Sequence, residues 1–221
     1  MIRLENLTKV FSLEGRSKVV ADNINATFPS GRSVALLGRN GAGKSTLLQM
    51  IAGTVDPSAG QIFSTGSISW PVGFAGSFHP ELTGAQNARF VGRIYGVDTD
   101  ELIDYVEEFS GLGEHFRLPF RTYSSGMRSR LAFGVSMGIG FDTYLVDEIT
   151  AVGDAAFKAK SDRIFKARME HAGAVVVSHS MAQIRDLCDA AAVLENGQLT
   201  YYDDVDAAIA HHNRNMTGGA T

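Results

Sequence analysis

Nowhere in these 221 residues do about 18 apolar side chains run consecutively, so no segment can cross a bilayer as a helix. Any work at a membrane must pass through a partner. The opening residues Met1-Ile2-Arg3-Leu4-Glu5-Asn6 lack the apolar stretch of a secretory signal, and the chain is expected to stay in the cytoplasm. Cysteine occurs once, at Cys188, which excludes an internal disulfide and offers no metal-ligand spacing; a buried or inert thiol in a reducing compartment is the plain reading. Charge of neither sign dominates: 20 Lys and Arg against 24 Asp and Glu leave a net charge of -4. That balance carries no global footprint for nucleic acid, which is not an expected partner, so a polyanion would have to be met locally. Internal repeats and low-complexity segments are also absent.

What is present reads as one domain with a helical insertion, since 44% hydrophobic and 20% charged residues suit a chain that buries a sizeable core. Ile24, Ala26 and Phe28 alternate with polar neighbours, and Pro29-Ser30-Gly31 turns the chain into the apolar run Val34-Ala35-Leu36-Leu37, a buried strand. A glycine-rich loop follows, then Leu47, Leu48 and Ile51 at helical spacing. Past the turn at Pro57-Ser58-Ala59-Gly60, short strands are predicted at Gln61–Phe63 and Ser67–Trp70. Residues 84 to about 118 read as helical, opened by a capping box at Thr83-Gly84-Ala85-Gln86, and Ser125–Met137 as a further helix. Apolar strands at Tyr144-Leu145-Val146 and Ala174-Val175-Val176-Val177 alternate with helices near 155–169 and 181–187, which implies parallel strands covered on both faces. Asn196-Gly197 between two apolar runs is a hairpin signal.

Gly38-Arg39-Asn40-Gly41-Ala42-Gly43-Lys44-Ser45-Thr46 has the spacing of a phosphate-binding loop, and it stands between a buried strand and a helix as that loop requires. Glycines let successive backbone N–H groups turn toward phosphate oxygens, and the helix N-terminus adds its positive dipole end. Lys44 is expected on the β and γ phosphates and Ser45 on Mg²⁺. A chance match to two spaced glycines followed by Lys and Ser is on the order of a percent per chain, against the ordinary reading of a glycine-rich turn with a surface lysine. A carboxylate must stand near the metal at the end of a neighbouring strand. Asp147 supplies it, acting through water, and Glu148 beside it is free to orient or deprotonate the attacking water. Alone, an Asp-Glu pair after a strand is a solvated helix start; behind such a loop it is a catalytic pair.

These pieces serve any phosphoryl-transfer enzyme. Tyr123-Ser124-Ser125-Gly126-Met127, about twenty residues before the Asp-Glu pair, resembles the signature of the ABC ATPases, usually Leu-Ser-Gly-Gly-Gln. The resemblance implies an α/β P-loop fold of the ABC type spanning residues 1–221, with an antiparallel β subdomain, a parallel-sheet core and a helical subdomain near residues 84–138. It implies that Ser124, Ser125 and Gly126 cap the γ-phosphate held by a second copy, so that a homodimer encloses two ATP molecules with Mg²⁺. Asp154 stands at the dimer-contacting aspartate of the family, and His179, just after Val175-Val176-Val177-Ser178, at its switch histidine. Phe11 lies where the family places an aromatic on adenine, although a phenylalanine at a strand end is more often core. Ser69-Trp70-Pro71-Val72-Gly73-Phe74, Leu82-Thr83-Gly84, the stretch 122–134 and Asp147-Glu148-Ile149-Thr150-Ala151-Val152-Gly153-Asp154 resemble the ATP-binding subunits that export capsular polysaccharides, and more loosely teichoic acid and O-antigen exporters. An integral-membrane permease partner and a peripheral place on the cytoplasmic face of the bacterial inner membrane follow from that likeness. The carbohydrate-binding domain of some O-antigen exporters is not expected here.

Two departures stand out. Most ABC ATPases carry a glutamine ahead of the helical insertion, where it meets the metal or water and senses the permease, and none occurs between Gln61 and Gln86. Gln86 is explained by the capping box, so the loop Val72–Glu81 must act through His79, Glu81 or water, all open choices. In the signature, Ser125 replaces glycine and Met127 glutamine. Trp70, Phe74 and Phe78 either line a groove for the permease or fill the core of the insertion. Arg117, Arg121, Arg128 and Arg130 read as a solvated or structural cluster, not a polysaccharide site.

Overall fold

The computed structural model describes residues 1–13, 15–148 and 155–218, arranged as two compact units: residues 1–71, 141–148 and 169–221 in one, residues 72–140 and 149–168 in the other. Asp154, expected from the family resemblance at the dimer contact, and its neighbours Ile149 to Gly153 lie outside the described residues.

The first unit holds two sheets. Strand β1 (Ile2–Leu13) pairs antiparallel with β2 (Arg16–Phe28) on one side and with β4 (Ala59–Ser64) on the other. Leu4 and Leu7 both face the core although their spacing is odd, because the register shifts between them and Asn6 takes a left-handed φ of 50°. Asn23, at φ 51°, does the same on β2 between the buried Ala21 and Ile24. Each bulge turns one extra residue aside, which resets the alternation.

The second sheet is six-stranded, in the order β5 (Ile68–Pro71), β6 (Thr143–Asp147), β7 (Gly173–Val177), β3 (Ser33–Leu37), β8 (Ala190–Glu195), β9 (Gln198–Tyr202), parallel except for β9. Every residue of β3 and β7 is buried, as parallel strands covered on both faces demand. Pro71 is tolerated because β5 is an edge strand that needs no N–H there. The hairpin from β8 to β9 turns on Asn196 and Gly197 with φ of 48° and 79°, the conformation its sequence calls for. Helix α1 (Lys44–Ile51) buries Leu47, Leu48, Met50 and Ile51 in the core shared by both sheets, and α6 (Met181–Leu187) and α7 (Val205–Gly218) complete the unit.

The second unit contains α2 (Gly84–Tyr95), α3 (Thr99–Ser110), α4 (Ser125–Gly138) and all but the last residue of α5 (Ala155–Met169), with short 3-10 turns at Gly113–Arg117 and Phe120–Thr122. Its centre is aromatic: the Phe109 ring lies 5.6 Å from Phe133 and 5.2 Å from Phe157. Glycines let α3 and α4 close on each other, since a Cβ on Gly138 would stand 2.5 Å from Leu102. The capping box expected at Thr83 is complete: Thr83 Oγ1 accepts from Gln86 N–H at 3.1 Å and Gln86 Oε1 accepts from Thr83 N–H at 2.9 Å. Thr83→Ala is therefore expected to cost about 1 kcal/mol. Thermal unfolding should show a midpoint lower by about 2–4 °C; an unchanged midpoint would count against the cap as a stabilising element.

Candidate functional site

Strand β3 ends at Leu37, and the loop that leads to α1 packs against its surroundings so tightly that only glycine fits at two positions. A Cβ on Gly38 would meet the Leu194 carbonyl oxygen at 2.5 Å, and one on Gly43 would meet Val20 Cγ1 at 2.1 Å with φ already at 107°. Gly43 also leaves the start of α1 without a side-chain cap. The first N–H groups of that helix thus have no side-chain cap and add a partial positive charge where an anion would sit. Lys44 Nζ folds back across the loop, donating to the carbonyl oxygens of Gly38 at 2.8 Å and Arg39 at 3.1 Å. Burial holds its ammonium below the ordinary lysine range, while the charges of Asp147 and Glu148 pull it back up.

Asp147 closes β6, in register with Val177 of β7. Glu148 follows with its N–H on the Val177 carbonyl at 2.9 Å and a left-handed φ of 51°, a conformation that a non-glycine residue holds only at a cost. That turn swings its carboxylate toward the segment after β7, where His179 Nε2 lies 2.8 Å from Glu148 Oε1. Both side chains are about half exposed, at 59% for His179 and 52% for Glu148, so solvent reaches the pair.

One cleft of about 480 Å³, a size that suits a nucleotide, gathers most of the residues singled out in the sequence. Asn40, Gly41, Gly43, Lys44, Ser45 and Thr46 of the loop and helix start line it together with Asp147, Glu148, His179 and Phe11. Gly38 and Ala42 do not line it; they shape the loop from behind, with Ala42 N–H on the Arg39 carbonyl at 3.1 Å. Phe11 is not core: 45% of it is exposed, and Lys9 Nζ sits 4.8 Å from its ring centroid. Lys18 and Val20, which no sequence motif marks, also line the cleft. The only available signal was their spacing of two on a strand, and nothing in the sequence tells which loop that strand crosses.

Ser124 and Gly126 line a separate cleft of about 310 Å³ within the helical unit, with His115, Met127 and Arg130. Ser124 is the N-cap of α4, its hydroxyl accepting from Met127 N–H at 3.3 Å, and Ser125 is exposed at the first helical position. A Cβ on Gly126 would touch nothing within 4 Å, so this chain by itself makes no demand for glycine there.

Elsewhere in the helical unit, His79 Nδ1 accepts from Glu81 N–H at 3.2 Å and the Glu81 carboxylate takes Arg121 at 3.1 Å. The three aromatics divide: Phe78 is buried edge-on to Phe120, Phe74 is 54% exposed, and Trp70 packs edge-on to Phe141 in the first unit. The arginines are structural, with Arg117 on Glu107, Arg128 donating to the Tyr123 and Arg121 carbonyls, and Arg130 4.6 Å over the Phe157 ring.

Residues 21–151, more than half of the chain, match the family described as ABC transporter. Among curated proteins, the chain is 49% identical over 212 residues to the polysialic acid transport ATP-binding protein KpsT of Escherichia coli, covering 95% of each. It is 42% identical over 214 residues to the capsule polysaccharide export ATP-binding protein CtrD of Neisseria meningitidis serogroup B, covering 96% of this chain and 99% of that one. A solved dimeric structure of the ATP-binding cassette MJ0796, bound to ADP and phosphate, superposes with a TM-score of 0.76 over 90% of this chain and 96% of its own, at 20% identity, a likeness of fold.

Proposed function

Since this chain belongs to the ABC transporter family and is an ATP-binding ATPase of it, we propose that it powers export of a lipid-linked capsular or related cell-surface polysaccharide. The observation that carries the reading is the single cleft in which a phosphate loop, Asp147, Glu148 and His179 meet. The full-length similarity to capsule export ATP-binding proteins supports the substrate class.

Lys44 and the N–H groups at the start of α1 bind the phosphates. Phe11 offers its exposed ring to the base. Ser45 and Asp147 fit Mg²⁺: an alcohol and a carboxylate are hard oxygen donors, and both line the cleft that holds Lys44. Among the described residues no group of three or more His, Cys, Asp or Glu side chains gathers as a metal cage, so the ion would share its coordination with phosphate oxygens and water. Bound there, Mg²⁺ neutralises charge on the phosphates. Glu148 takes the proton of the attacking water, and His179, hydrogen-bonded to that carboxylate, orients it and faces the γ-phosphate.

Hydrolysis needs a second copy. Ser124, Ser125 and Gly126 of one subunit complete the phosphate site of the other, which explains why Gly126 has open space in a single chain. The chain is then one ATP-binding domain with a helical part near residues 84–138, and a permease is its membrane partner. No helix among the described residues is long and apolar enough to cross a membrane, so attachment to the cytoplasmic face of the inner membrane is through that permease.

Affinity purification of the tagged chain from detergent-solubilised membranes is expected to recover an integral-membrane protein, and loss of the chain should leave polysaccharide inside the cell. Normal surface polysaccharide in the deletion strain would overturn the substrate class while leaving the ATPase intact.

A further inference from the structure

We propose that Lys18, which the phosphate loop and the Asp-Glu pair leave unused, is a nucleotide-binding residue whose ammonium meets the phosphate nearest the base. The proposal rests on the reading of this cleft as the ATP site. Strand β2 lies along the phosphate loop: Val20 Cγ1 abuts Gly43, and two residues earlier Lys18 Nζ donates to the Gly41 carbonyl at 2.9 Å. Lys18 is also the direct cross-strand partner of Phe11 in the β1–β2 ladder, and directly opposed residues point to the same side.

Val20 thus lies beside Gly43, Lys18 beside Gly41 and Phe11 across the ladder from Lys18, and all three side chains line the same cleft. An ammonium between a phosphate loop and a base platform faces the ribose and the first phosphate that join the two, and of these only the phosphate carries a charge for it to meet. The contact with Gly41 holds the charge at the mouth of the loop. Lys44 serves the opposite end, beside Asp147 and Glu148.

The plain alternative is a lysine that only braces the Gly41 carbonyl. Lys18→Gln keeps an N–H donor for that carbonyl and removes the charge, whereas Lys18→Arg keeps the charge. Competition against a fluorescent ATP analogue should show ATP and ADP both binding roughly fivefold more weakly in Lys18→Met and in Lys18→Gln. Lys18→Arg should recover most of the loss, the deficit should shrink with added salt, and in turnover the change should fall on KM more than on kcat. Wild-type affinity in Lys18→Met, rescue by Lys18→Gln, or a loss confined to ATP would each overturn the assignment. Lys44→Ala measured alongside separates the two readings: if it too binds ATP normally, the cleft is not the ATP site; if it alone fails, only the assignment of Lys18 falls.

Discussion

A Glu148→Gln variant is expected to bind ATP as tightly as the parent chain, to lose a factor of about 10²–10⁴ in turnover, and to accumulate as an ATP-bound dimer. The reason lies in the geometry of one turn. Glu148 adopts a left-handed φ of 51°, and its carboxylate ends 2.8 Å from His179 Nε2 in a cleft open to solvent. An amide keeps the size of the carboxylate and can still hydrogen-bond, but it cannot accept a proton from water. In the proposed mechanism binding energy survives because Lys44 and the loop hold the phosphates, and chemistry stops because the base is gone. Steady-state phosphate release and gel filtration with ATP check both halves. Turnover near the parent rate would remove Glu148 from its role as base and shift attention to His179.

Lys44→Ala should act on the other quantity, weakening ATP binding roughly 10–100-fold, the range that follows from losing one strong hydrogen bond to a charged group. Its ammonium is partly buried and held below the usual range by that burial, so the fold has already removed part of its water. Both carbonyl contacts that Lys44 makes are to the loop itself, at Gly38 and Arg39. Alanine therefore removes the cation and also releases a tie across the loop. Titration with a fluorescent nucleotide reads the loss, and circular dichroism confirms that the fold persists. Unchanged affinity would mean that the cradle is not where ATP binds.

Much of this site was legible from local pattern. A phosphate loop is a contiguous stretch whose chemistry lies in backbone N–H groups, glycine conformation and one lysine, so spacing and flanking strand and helix identify it. The capping box at Thr83 and the hairpin at Asn196-Gly197 are likewise local, and the structure forms both. Phe11 was ambiguous for the opposite reason. Whether a phenylalanine at a strand end is core or platform depends on what packs against it, and only the fold leaves 45% of it exposed beside Lys9.

The sequence by itself determined the phosphate loop, the Asp147-Glu148 pair and the resemblance to polysaccharide-exporting ABC ATPases, because each is written in neighbouring residues. Tertiary structure decided what those residues meet. Parallel pairing of β6 with β7 brings Glu148 against His179 from thirty-one positions away in the chain. The bulged β1–β2 hairpin lays Val20 and Lys18 along the loop, so a lysine with no motif around it joins the cleft. Such contacts depend on register and strand order, which are set by packing of the whole core and leave no trace in local spacing.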